Sequence, residues 1–132
     1  MSILKPFVGY VLTEACRNKL LKAYPPSFIN IRCHHITLLS SSSYNSEINL
    51  KEFVPGKLHV VTYHKGSNIE IFGVSSPYQE NTNYPFGMNS AGIFHIVLSL
   101  DSSARMKDAQ KLISKYVLLP KPILLDGKVE LC

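Results

Sequence analysis

Two short stretches pair an imidazole with strand-like surroundings: CHHITLL at 33–39 and IFHIVLSL at 93–100. Alternate residues of an extended strand share a face and lie about 7 Å apart. In the first stretch His35 therefore shares a face with Thr37, and His34 goes with Ile36 and Leu38 to the more apolar face. That spacing makes His34 a polar neighbour of the core, at an edge or hydrogen-bonded. In the second stretch Phe94, Ile96 and Leu98 form the apolar face, and His95, Val97 and Ser99 the opposite one. Each strand thus offers one histidine away from its most apolar side.

The H-x-T pattern has a chemical use. An imidazole takes or gives a proton near neutral pH, and a hydroxyl two residues on can donate to a phosphate oxygen beside it. Two such strands with their polar faces together would hold one phosphate between a general base and a general acid. A lone histidine in an apolar strand is more often structural than catalytic. Two in matching strands point to a site. Ser99 lies four residues beyond His95, too far along the strand to act as the second hydroxyl. His59 and His64, five positions apart, face opposite ways in a regular strand. Neither they nor Cys33 make a metal-ligand set, and no metal or other cofactor is expected.

The elements that must position these residues follow from pattern and punctuation. FVGYVL at 7–12 reads as a strand, and Thr13 as the N-cap of a helix that Pro25 and Pro26 end. Residues 29–39 read as one strand, and the polar segment 40–47 as a loop. KLHVVTYH at 57–64 and NIEIFGV at 68–74 form a hairpin across KGSN. The long connection 76–92 carries Tyr78, Tyr84, Phe86 and Met88, enough apolar surface to act as a lid or to pin the loop to the core. A strand at 93–100, a helix over 104–116 and a closing hairpin around Asp126-Gly127, or one strand and a tail, complete the chain. The class is α+β, with an echo between two halves that each centre on a histidine strand.

Composition sets the bounds. The 132 residues amount to a single domain over 1–132, long enough to bury a core without disulfides. Apolar residues make up 45% and charged residues 17%, as in ordinary soluble proteins. Lys5 and Pro6 interrupt the apolar N-terminus, so neither a signal peptide nor a membrane span is expected. Three cysteines without C-x-x-C spacing suit free thiols in a cytoplasmic setting. The net charge of +5 comes from scattered basic residues, which suits solubility or attraction for a small anionic ligand.

With these residues in place, the chain resembles the 2H phosphoesterase superfamily, named for two H-x-[T/S] motifs on paired strands. It is most similar to the compact branch that includes the Swiss-Army-Knife-type RNA-repair domains and the phage anti-CBASS nucleases. The matching text is GYVLTEACRNKLLKAYPP at 9–26, HHITL at 34–38 and FHIVLSLD at 94–101. The resemblance implies two pseudo-symmetric halves, with antiparallel sheets lining a central cleft and helices outside. It implies a metal-independent phosphodiesterase acting on a cyclic nucleotide, an oligonucleotide or an RNA 2′,3′-cyclic phosphate end. His35 and His95 would be the catalytic pair, Thr37 and Arg17 phosphate-binding, and Tyr10 a platform for a base. Partners would be nucleotides or RNA ends, not membranes.

One position departs from the pattern. Val97 stands where the second motif has threonine or serine, with nearly the same shape but no donor. The alternative is therefore a degenerate 2H fold that binds or sequesters nucleotides without turnover. A third reading, an interaction module with incidental histidines, requires His35 and His95 to lie far apart or be sealed from solvent.

Overall fold

Thr13 ends the first strand and starts the first helix. Its hydroxyl oxygen accepts the Cys16 N–H at 3.2 Å, capping α1 (Glu14–Ala23) one residue after β1 (Val8–Leu12). Glu14 in the first turn and Lys22 in the last complement the helix dipole. Pro25 and Pro26 then prevent continuation. The computed structural model describes residues 7–39, 47, 49–52, 56–75, 85–89 and 92–132.

The remaining strands are β2 (Asn30–Ile31), β3 (His35–Leu39), β4 (His59–Lys65), β5 (Ile69–Ser75), β6 (Met88–Asn89), β7 (Gly92–Ile93), β8 (His95–Leu100), β9 (Val117–Leu124) and β10 (Gly127–Leu131). A second helix, α2 (Met106–Gln110), follows β8. Among the described residues the strands form an antiparallel sheet of eight, ordered β10-β1-β3-β8-β5-β4-β9 with β2 also on β8, and a small β6–β7 ladder. The class is α+β, as expected.

The sheet has a local two-fold relation at its centre. β3 meets β8 through the pair Ile36 and Ile96. An axis through that pair carries His35 onto His95 and Thr37 onto Val97. It also carries one irregularity onto another. β3 has an extra residue, Leu38, against β1, and β8 has an extra residue, Leu98, against β5. Each bulge falls one position after its motif.

The two faces of the sheet bury different clusters. On one face Tyr10, Ile36, Val60, Phe72, Val74, Ile96 and Leu98 pack with Cys16 and Leu20 of α1. On the other, Ile69, Ile71 and Phe86 pack with Ala109 and Leu112. The helices thus lie on opposite faces, and α2 flanks the face that carries the two motif histidines. The resemblance had placed both outside the cleft.

Several other expectations change. Residues 29–39 are not one strand, because Cys33 has a φ of 51° and breaks the extension between β2 and β3. The helix expected over 104–116 is regular only at Met106–Gln110. Beyond it, Leu112, Ile113 and Lys115 donate to carbonyls three residues back, a tightened ending that turns the chain toward β9. The closing hairpin does not form. β9 runs along β4 and β10 along β1, so Asp126 and Gly127 join opposite edges of the sheet. Gly127 is required there, since a Cβ would lie 2.2 Å from the Val11 carbonyl oxygen. In the long connection, Tyr78 and Tyr84 lie outside the described residues, as does the loop 40–46. Phe86 is fully buried and so pins its end of the connection to the core.

Candidate functional site

The left-handed residue Cys33 decides what happens to its neighbours. Because the chain turns there, β3 begins at His35 and His34 escapes the strand alternation. Its ring comes round to the polar side, where His34 Nδ1 lies 3.0 Å from His35 Nδ1. The expectation that His34 faces the core is therefore overturned. Both rings line a cavity of about 260 Å³ together with Arg32, Thr37, His95, Val97 and Leu100.

Register explains how this set converges. With Ile36 opposite Ile96, His35 lies across from Val97 and Thr37 across from His95. His35 and His95 are then diagonal neighbours on one face, positions that lie about 7–8 Å apart with their Cβ atoms somewhat closer. Two imidazoles on such a diagonal can reach opposite sides of one phosphate. His34 and His95, after burial itself, also push the proton affinity of His35 down, to a pKa of about 4. His35 is thus a neutral imidazole at neutral pH. Phe7 covers it, with ring centroids 5.0 Å apart.

Of the two nitrogens that meet between His34 and His35, one must carry the proton and the other accept it. His35 can give its Nδ1 proton to His34 and keep a bare Nε2 on the far side of the ring. That tautomer serves a base. The two other cationic or hydroxyl-bearing groups of the cavity, Arg32 and Thr37, are suited to anion oxygens.

Ser99 does not extend this face. The extra residue Leu98 shifts the strand by one position, so Ser99 pairs with Glu70 and Val97 with Ile71. Ser99 is fully buried on the α1 side, where its hydroxyl donates to the Glu70 carboxylate. The Ser27 N–H at 2.6 Å and the Tyr63 hydroxyl donate to the same carboxylate. Phe28 N–H in turn donates to Ser99 Oγ at 3.1 Å. This network ties the segment entering β2 to the sheet and so positions Arg32, which follows it. Burial first, then the bond to Glu70, raises the Tyr63 phenol well above its ordinary range.

Two of the residues implied by the family resemblance stand elsewhere. Tyr10 is 9% exposed and packs in the α1-side cluster, because it pairs with Ile36 and shares that residue's face. It cannot stack on a base in this cavity. Arg17 does not line the cavity either; its Nε donates to the Arg32 backbone carbonyl at 3.2 Å. It braces the turn that carries Arg32.

The structure also regroups His59 and His64. β4 has an extra residue, Val61, so His59, Thr62 and His64 pair with Ser75, Gly73 and Ile71 and share one face. The expectation of opposite faces assumed a regular strand. His64 is fully buried, and burial lowers its pKa. Among the described residues no three His, Cys, Asp or Glu are grouped to hold a metal ion, and no helix is long and apolar enough to cross a membrane.

Sequence pattern passed over Arg32 and placed His34 on the core side, so it assigned neither to the site. Their signal is weak, since both depend on the backbone turn at Cys33. No family model, curated protein or solved structure matches the chain.

Proposed function

We propose that the chain is a metal-independent phosphodiesterase of the 2H type, acting on a cyclic nucleotide, an oligonucleotide or an RNA 2′,3′-cyclic phosphate end. The observation that carries the reading is the register at Ile36 and Ile96, which brings His35, Thr37 and His95 into one cavity. The two-fold relation between the strands, with a bulge after each motif, favours the 2H fold among α+β architectures.

In this reading the phosphate sits between the two imidazoles. Thr37 donates to one non-bridging oxygen, and Arg32 offers a planar fork to the anion. Neutral His35 takes the proton from the attacking hydroxyl or water, and the bound anion raises its proton affinity from the resting level. His95, in its protonated form, gives a proton to the departing oxygen. Val97 and Leu100 supply an apolar wall.

The experiment is hydrolysis of a panel of cyclic nucleotides, short oligonucleotides and cyclic-phosphate RNA ends in the presence of a chelator. Turnover with a bell-shaped pH profile is expected, and it disappears in His35→Ala and in His95→Ala. Full hydrolysis by both variants would end the proposal.

A second reading rests on Val97 and Ser99. Val97 lines the cavity without a donor, and the bulge turns the Ser99 hydroxyl to the other face. A site so reduced suits a nucleotide binder. Tight calorimetric binding with the ligand recovered intact after long incubation would favour it over the enzyme.

A further inference from the structure

His64 and Thr62 lie behind the cavity, one strand removed from His95, and take no part in the chemistry above. Their hydrogen bonds have a fixed direction. His64 Nδ1 lies 2.6 Å from the Leu112 carbonyl oxygen. A carbonyl only accepts, so Nδ1 carries the proton. His64 is neutral, because burial lowers its pKa, and Nε2 is left with a bare lone pair. Thr62 Oγ1 stands 2.8 Å from that Nε2 and must therefore give its proton to it. The threonine oxygen then has lone pairs to offer and no proton.

Gly73 lets this chain reach β8. It pairs with Thr62 on one side and with His95 on the other. A Cβ at Gly73 would lie only 2.0 Å from Thr62 Oγ1, so the hydroxyl occupies the space a side chain would fill. Directly opposite Cβ positions are about 5 Å apart. Thr62 and His95 thus flank the same side-chain-free position, and His95 acts electrostatically on His64.

We propose that Thr62 and His64 are positioning residues that fix the tautomer of His95. The Leu112 carbonyl sets His64, His64 sets the Thr62 hydroxyl, and Thr62 accepts the N–H of the His95 ring nitrogen on its side. The other ring nitrogen of His95 is then the one that exchanges protons with a ligand. The arrangement rests on reading His95 as part of the site, but its hydrogen-bond order stands without turnover.

Nitrogen NMR of the histidine rings, recorded on the ligand-free full chain, tests this. Wild-type His64 shows a protonated Nδ1 and a bare, pyridine-like Nε2, and His95 shows one tautomer. Thr62→Val, which keeps the shape and removes the acceptor, shifts His95 toward a tautomer mixture and leaves the His35 signals in place. Thr62→Ser restores the wild-type His95 signals. A proton on His64 Nε2 in the wild type, or unchanged His95 signals in Thr62→Val, would overturn the proposal. Because no substrate is used, a protein that hydrolyses nothing can still show the tautomer order, and an active one can lack it.

Discussion

The two histidine strands share a backbone plan and differ in what surrounds their rings. β3 and β8 each present a histidine, a residue two positions on, and a bulge immediately after. Beside His35 stand Thr37 on its own strand and His34 at 3.0 Å. Beside His95 stand Val97 on its own strand and Gly73 on the next, with Thr62 leaning over the glycine. Symmetry of the frame with asymmetry of the neighbours is what an acid–base pair needs. Two identical imidazoles in identical settings would have equal proton affinities, whereas unequal neighbours separate their roles.

The largest test of that comparison removes either ring. His35→Ala and His95→Ala should each lower phosphodiester hydrolysis by about 10²–10⁴-fold, the usual worth of a positioned acid or base. Steady-state rates on the most active substrate of the panel provide the check. A loss confined to one variant would mean that the halves are not partners.

Next in size is the hydroxyl that one half lacks. Val97→Thr makes the motifs alike and should raise turnover by about ten- to a hundredfold, the equivalent of about 1.5–3 kcal/mol for a hydrogen bond to a charged group. Thr37→Val should lower it by a similar factor. Absence of any gain in Val97→Thr would favour the nucleotide binder.

A smaller effect is expected from the adjacent histidine. His34→Gln removes one of the influences that hold His35 near 4, so the His35 pKa should move up toward the ordinary imidazole value. The ring titration followed by NMR reads this directly, and an unchanged His35 would show that His34 is a bystander.

The smallest is a stability effect. His35 and His64 both have pKa values lowered by folding. Between the unfolded value of 6.5 and the folded value of about 4 for His35, the unfolded chain binds more protons, so stability falls as pH falls. Well above pH 6.5, where both states are neutral, these two groups contribute no slope. Urea midpoints measured from pH 7.5 to 4 should show that decline, and it should be shallower in His64→Gln.

How much of this was legible in the sequence depended on where strands are regular. Strict alternation holds from His35 to Thr37 and from His95 to Val97, so the shared faces of His35 with Thr37 and of His95 with Val97 could be read by period alone, while only the family resemblance made the valine a missing hydroxyl. The class and the α1 cap were equally local matters. Period failed wherever one residue was surplus: at Val61 it regrouped His59 and His64, and at Leu98 it turned Ser99 away. It also failed at Cys33, whose left-handed backbone no residue preference announced. The partners of β9 and β10 were hidden for a different reason. A tight Asp126-Gly127 turn favours a local hairpin, and only the long-range ladders with β4 and β1 decide against it. Tyr10 shows the limit of family resemblance, since the matching residue packs in the core.

The bulges have a consequence for length variants. A strand assigns its side chains by parity, and a surplus residue resets the count for everything beyond it. Here the resets fall at Leu38, Val61 and Leu98. Deleting Leu98 alone would remove the surplus residue, so Val97 and Ser99 would face Ile71 and Glu70 in unbroken sequence and Ser99 would keep its place opposite Glu70. What would be lost is the buried Leu98 side chain of the α1-side cluster. The same deletion in an exposed turn would do almost nothing. In this sheet, the chemistry available to a face is written partly in odd and even numbers.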